Sequence, residues 1–230
     1  MARVFVAIAG NIGSGKTTLT KLLSERFGWE PYYESVQDNP YLADFYQDMK
    51  RWAYQLQSYF LTRRFADHER ILSGQNSVIQ DRTIYEDAEI FARNLYETGK
   101  MDERDWSVYS LLAEVMFRHL APPDLLVYVR RSVPKLLARI KKRGRAYEQG
   151  IPLDYLTRLN QMYERWIAGY RRGRVFIVES DKLDFLEKPE HLQTVAEKIA
   201  GALAQGDLFF DQASSRASLG TREARGQASG

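Results

Sequence analysis

Hydrophobic positions along the chain fall into short unbroken runs that alternate with helical repeats. Val4–Ala9 is apolar throughout, rich in β-branched and aromatic side chains, and Gly10–Gly15 follows it as a turn. Thr17–Phe27 then sets leucines and threonines at helical spacing, so the chain opens as strand, loop and helix. Pro31–Glu34 closes a second short extended segment. Two helical stretches follow, over about Tyr41–Met49 and Arg51–Leu72, the second apolar at Leu56, Phe60 and Leu61. Ser77–Gln80 is predicted as a third strand that ends in Asp81. Helical patterns return over Tyr85–Glu97 and Glu103–His119, separated by Thr98-Gly99. Leu125–Val129, announced by Pro122 and Pro123, is the clearest fully buried strand. A helix over 133–142, a basic run, a helix over 153–170, the strand Val175–Val178 and a last helix near His191–Leu203 complete the pattern. Short apolar strands alternating with helices predict an α/β fold, a parallel sheet covered on both faces with right-handed crossovers. No linker divides the chain, so residues 1–212 are expected to form one domain. The small, polar, glycine-rich stretch 213–230 is expected to be a disordered tail.

Composition changes this picture only locally. The chain is 44% hydrophobic and 27% charged, as a soluble globular protein is, and its formal charge of +3 is too small to name a partner. The charge is uneven, however. Arg130, Arg131, Lys135, Arg139, Lys141, Lys142, Arg143 and Arg145 follow one another without an acid. The absence of cysteine excludes disulfides and thiolate zinc sites. His68, His119 and His191 lie far apart, without ligand spacing, and read as ordinary surface or packing residues. No stretch approaches the roughly 20 apolar residues that span a bilayer, so a cytoplasmic protein is expected.

Gly10-Asn11-Ile12-Gly13-Ser14-Gly15-Lys16-Thr17 matches G-x-x-x-x-G-K-[ST] between a predicted strand and a predicted helix, the context that this motif requires. Its glycines let backbone N–H groups turn toward an anion, and the helix N-terminus adds partial positive charge. Lys16 is placed for the outer phosphates of ATP or GTP, and Thr17 for Mg²⁺. Two acids stand at predicted strand ends, where open α/β sheets build their sites. Asp81 is suited to hold Mg²⁺, directly or through water, and Arg82 beside it to bridge the transferring phosphate and its acceptor. Glu34 is suited to take a proton from an attacking hydroxyl. Each acid alone also fits a strand-end cap. Gln57 and Arg64 share a helix face, as do Thr83, Asp87 and Phe91, spaced four apart. These groups would suit a planar heterocycle, or else an Arg64–Asp87 ion pair beside a core Phe91; spacing alone favours the second.

With these residues in place the chain resembles the deoxynucleoside kinases over about residues 4–185. The resemblance rests on GNIGSGKTT, on ESV from Glu34, on KRWAYQLQSY with Gln57, on DRT at 81–83 and on RIKKRGRAYEQG at 139–150. It implies a P-loop NTPase fold, a three-layer α/β/α arrangement with five parallel strands and an arginine-rich lid over about 139–150. It also implies transfer of the γ-phosphate of ATP, with Mg²⁺, to the 5′-hydroxyl of a deoxynucleoside. The ATP-binding set would be Gly10, Asn11, Ile12, Gly13, Ser14, Gly15, Lys16, Thr17 and Thr18, with Arg139 and Arg143 from the lid. Carried over by position, Glu34 is the general base, and Arg82 steadies base and phosphate. Gln57 reads the nucleobase edge, Phe91 stacks on it, and Tyr46 with Glu148 holds the 3′-hydroxyl. Lys16, Arg143 and Arg145 would stabilise the transferring phosphate.

Arg64 and Asp87 fall where purine- and cytosine-accepting members carry a pair, which moves that pair to the base pocket. The resemblance departs where many relatives have Glu-Arg-Ser in place of Asp81-Arg82-Thr83. Gln37-Asp38-Asn39-Pro40 is closer to bacterial purine kinases than to animal enzymes, which often have a tryptophan there. Deoxyguanosine or deoxyadenosine is the expected acceptor, deoxycytidine next and thymidine last. Two rivals are a nucleoside monophosphate kinase and a nucleic-acid-binding ATPase that uses the basic run as a phosphate patch. The first would need extra cations in place of Glu34. The second would need aromatic residues interleaved in the run, which holds only Tyr147. Neither nucleic acid nor membrane is therefore expected as a partner. A homodimer is implied, through helices such as 85–97 and 103–119, with a heterodimer with a paralogous subunit as the alternative.

Overall fold

The computed structural model describes residues 3–33, 39–145, 148 and 150–204. Five strands, β1 (Phe5–Ala9), β2 (Glu30–Tyr32), β3 (Val78–Asp81), β4 (Leu125–Arg130) and β5 (Arg174–Glu179), form one parallel sheet in the order β2-β3-β1-β4-β5. The sheet needs cover on both faces because β1 and β4 are apolar at successive positions. In β1, Phe5, Ala7 and Ala9 pack into one cluster and Val6 and Ile8 into another. In β4, Leu126 and Tyr128 join the first, and Leu125, Val127 and Val129 the second. Side chains alternate across a strand, so an unbroken apolar run is stable only between two layers.

Helices supply those layers. On the Val6 face lie α1 (Lys16–Phe27), through Leu19 and Leu23, and the last helix, 189–204, through Val195 and Ile199. On the Phe5 face lie the C-terminal end of α3 (Met49–Ser73), through Ile71, and α8 (Leu153–Gly169), through Leu159 and Tyr163. A third cluster joins α2 (Leu42–Gln47), α3 and α6 (Glu103–Phe117) through Phe45, Leu56, Leu61 and Tyr109. α7 (Val133–Arg143) ends at Gly144, whose φ of 68° is the left-handed value a helix stop favours. His68 is a packing residue, as its isolation in the sequence suggests. Its ring meets Phe5 edge-on, its Nε2 bonds the Ala121 carbonyl, and burial pushes its pKa down.

The single helix expected over Tyr85–Glu97 is not uniform. α4 (Ile84–Glu86) opens into a π-helical stretch, Asp87–Ala92, before α5 (Arg93–Glu97). Elsewhere the predicted elements stand within one to three residues of their expected ends. The expected tail, 213–230, lies outside the described residues. Among the described residues no helix is long and apolar enough to cross a membrane.

The strand order positions the site. From β1 the chain steps out to β2, returns to β3 beside β1, then crosses to β4 on the other side. Loops leaving the carboxyl ends of β1 and its neighbours diverge at this switch point and leave a crevice.

Candidate functional site

The loop leaving β1 turns sharply and brings backbone into the crevice. Gly13 sits at φ 81°, and a Cβ there would come within 2.9 Å of the Leu136 carbonyl oxygen, so a side chain is excluded. α1 starts at Lys16 directly after the loop, which aims its positive end and free N–H groups at the same space. Lys16 Nζ donates to the Asn11 carbonyl at 3.0 Å and bridges the loop from within. Asn11 is itself buried, its amide donating to the Leu156 carbonyl of α8 at 3.1 Å. Arg139 approaches from α7, its Nη1 2.6 Å from where a Cβ on Gly15 would stand. Thr18, half-buried, follows on the first turn of α1.

Thr17 Oγ1 donates to Asp81 Oδ2 at 2.5 Å. A hydroxyl beside a carboxylate is a pair of hard oxygen donors, which suits Mg²⁺ bound jointly with phosphate oxygens and water. Among the described residues no group of three or more His, Cys, Asp or Glu gathers that could hold a metal alone. The donor set therefore fits an ion that arrives with a nucleotide.

Arg82, the residue after β3, is the one described non-glycine residue with positive φ, at 73°. Such a conformation costs about 1–3 kcal/mol and persists where surroundings over-determine it. Here they do. The Arg82 N–H bonds the Ile8 carbonyl at 2.9 Å, Nη1 donates to the Tyr163 hydroxyl at 2.9 Å, and the guanidinium lies 4.3 Å from the Phe91 ring centroid.

Farther from the loop, Arg64 Nε meets Asp87 Oδ2 at 2.5 Å, with both side chains buried. Arg64 Nη1 also reaches the carbonyls of Asp81 and Arg82, each at 3.4 Å, and so ties α3 to the end of β3. Gln57 is 3% exposed, and its Oε1 has no hydrogen-bond partner. An unpartnered buried carbonyl is costly, and a site built to receive a donor explains it. Asp87 and Phe91 both face this space, whereas Thr83, expected on the same helical face, caps α4 instead. The π-helical stretch carries both residues and changes the angular step along that face.

The arginine-rich run completes the wall. Arg143 makes a two-pronged contact with Glu148, Nε to Oε2 at 3.0 Å and Nη2 to Oε1 at 2.5 Å, and Arg145 Nη1 lies 3.5 Å from Glu148 Oε1. Glu148 is 5% exposed, while Lys141 and Lys142 remain in solvent.

One cleft thus gathers Ile12, Gly13, Lys16 and Thr17 with Tyr46, Gln57, Arg82, Asp87 and Phe91, and with Arg143, Arg145 and Glu148. Arg64 does not line it but holds Asp87 from behind. Glu34 lies outside the described residues. Sequence reasoning missed Phe45, Phe60 and Tyr155, which add apolar and aromatic wall, and missed Glu86 and Tyr163 behind Arg82. The spacing Thr83-x-x-Glu86 is a capping-box signal that would have drawn attention to Glu86.

Comparison with known proteins agrees with this geometry. The family described as "Deoxynucleoside kinase" matches residues 6–204. Deoxyadenosine/deoxycytidine kinase of Bacillus subtilis (strain 168) is 36% identical over 200 residues, covering 86% of this chain and 92% of the relative. Deoxyguanosine kinase of Lactobacillus johnsonii is 38% identical over 215 residues, covering 90% and 95%. The solved structure of deoxyadenosine kinase from M. mycoides with bound dATP superposes with a TM-score of 0.77 at 29% identity, covering 86% of this chain and all of that one.

Proposed function

This chain belongs to the deoxynucleoside kinase family and phosphorylates deoxynucleosides for salvage; from that premise we propose that its preferred acceptor is a purine deoxynucleoside, taken at the 5′-hydroxyl with ATP as donor. The observation that carries the preference is the buried Arg64–Asp87 pair beside the open carbonyl of Gln57, in the same cleft as the phosphate loop. Asp87, held by Arg64 from behind and facing the cleft, offers an acceptor to an amino or ring N–H group on the edge of guanine or adenine. Thymine would set a carbonyl against the Asp87 carboxylate, leaving acceptors opposed at about 1–3 kcal/mol. The relatives named for deoxyadenosine and deoxyguanosine support the same ranking.

The family resemblance supports the following roles. Phe91 offers a face for the base, Gln57 its edge contacts, and Tyr46 with Glu148 the 3′-hydroxyl. The 5′-oxygen attacks the γ-phosphorus, its proton passes to Glu34, and ADP departs. Lys16, Arg82, Arg143 and Arg145 meet the charge that spreads over the phosphoryl oxygens, where fixed cations act most strongly in a site closed to water. Thr17 and Asp81 would hold Mg²⁺, which supplies charge neutralisation across the terminal phosphates when bound. The run 139–150 is taken as a lid on a single domain, 1–212, and the setting as cytoplasmic.

The pair is tested by changing both partners, because removing one strands a buried charge at about 3–5 kcal/mol. Arg64→Met with Asp87→Ala is expected to erode the preference for purines over thymidine more than it lowers total activity. An unchanged ranking of kcat/KM returns the pair to a structural role.

A further inference from the structure

Glu86 has no exposed surface, yet it carries an ionisable group at the centre of the molecule. Its Oε2 belongs to a capping box, accepting the Thr83 N–H at 2.7 Å with the Thr83 hydroxyl at 3.1 Å. A capping box needs no more than that. Oε1 is turned elsewhere, to the N–H of Gly10 at 3.2 Å and to the Tyr163 hydroxyl at 2.8 Å. The Tyr163 oxygen in turn accepts from Arg82 Nη1 at 2.9 Å, and Arg82 Nη1 stands 3.9 Å from Glu86 Oε1. The first glycine of the phosphate loop, the arginine of the cleft and α8, the helix that follows the arginine-rich run, therefore converge on one carboxylate.

We infer that Glu86 and Tyr163 are positioning residues for phosphoryl transfer, fixing Arg82 and the phosphate loop in one frame that α8 completes. The inference rests on the family's reaction and assigns neither residue a contact with substrate. Three features separate this arrangement from ordinary core packing. A buried carboxylate is stable here only because four donors face it, and two of them come from parts of the chain 76 and 77 residues away. Arg82 holds a left-handed backbone, so its side chain is aimed by what it bonds rather than by a relaxed local conformation. Finally, one oxygen, that of Tyr163, both donates to Glu86 and accepts from Arg82. Its loss frees the guanidinium from one of its anchors and leaves the aromatic packing intact. Positioning of this kind affects rate more than affinity, since an arginine displaced by a fraction of an ångström still binds charge but meets the transition state poorly.

Tyr163→Phe is the direct test, because the ring keeps its stack on Tyr128 and its edge contact with Phe91. The expected result is a fall in kcat of about ten- to a hundred-and-fiftyfold, the rate equivalent of one charge-assisted hydrogen bond. KM for ATP and for the deoxynucleoside should stay within about twofold, and the melting temperature should fall by only about 2–10 °C, as expected for one buried hydrogen bond lost. Tyr128→Phe is the control. It removes another buried hydroxyl of the same core, one bonded to Glu164, and should leave kcat unaltered. Glu86→Gln keeps the shape, removes the charge and should lower kcat in the same direction, so the claim remains open to refutation if one variant folds poorly. Parental kcat in Tyr163→Phe, a change confined to KM, or an equal loss in Tyr128→Phe would overturn the inference. A parent enzyme inactive toward all four deoxynucleosides would overturn the reaction itself and this inference with it; an active parent with an unaffected Tyr163→Phe overturns the inference alone.

Discussion

The carboxylates around the cleft are already committed. Asp81 accepts from Thr17, Asp87 from Arg64, Glu148 from Arg143, and Glu86 from Gly10, Thr83 and Tyr163. The resemblance assigns the proton of an attacking hydroxyl to Glu34, which lies outside the described residues. Glu34→Gln is expected to leave ATP affinity nearly intact and to lower kcat by at least about a hundredfold, within the span that general-base catalysis supplies. Rapid-mix measurement of the chemical step checks this, and retention of most activity would remove Glu34 from the mechanism. Gly10 and Tyr163 show why the residue scale was only partly legible in the sequence. Motif spacing reveals Lys16, Thr17, Asp81 and Arg82 because their geometry is local to one loop or strand end. The partners of Glu86 are distant in sequence, and no periodicity connects them.

At the scale of elements, the strands and most helices could be read from apolar spacing, since burial on two faces or on one stripe leaves a period in the sequence. The π-helical stretch could not. Over residues 85–97 apolar residues are dense enough to satisfy an α-helical and a wider repeat alike, and the difference lies in hydrogen bonding rather than composition. α6 presents a different case, an element with two apolar faces. Tyr109 and Ala113 are buried, while Val108, Leu111, Leu112 and Val115 form a second stripe in solvent, with Leu111 60% exposed. A contiguous stripe of that kind on a soluble protein marks an interface, and a second copy of this chain is its proposed occupant. Sedimentation velocity is expected to show a dimer for the parent. Leu111→Glu should sediment as a monomer with little change in melting temperature, because that side chain is largely free of its own protomer. A parent that sediments as a monomer, or a variant that stays dimeric, would free α6 from this role.

Taken whole, the molecule is a parallel sheet whose switch point collects three separately built parts: a backbone cradle for phosphate, a polar pocket between α3 and the π-helical stretch, and the arginines Arg143 and Arg145 on the wall of the same cleft. Of the basic run, Arg143 and Arg145 line this cleft, whereas Lys141 and Lys142 lie in solvent. Salvage of a purine deoxynucleoside needs all three parts in one cleft, and the pocket's buried Arg–Asp pair is the part proposed to select the base. The most direct test is a steady-state panel of deoxyadenosine, deoxyguanosine, deoxycytidine and thymidine with ATP. The predicted result is the highest kcat/KM for one of the two purines, deoxycytidine next and thymidine lowest; thymidine in first place would contradict it.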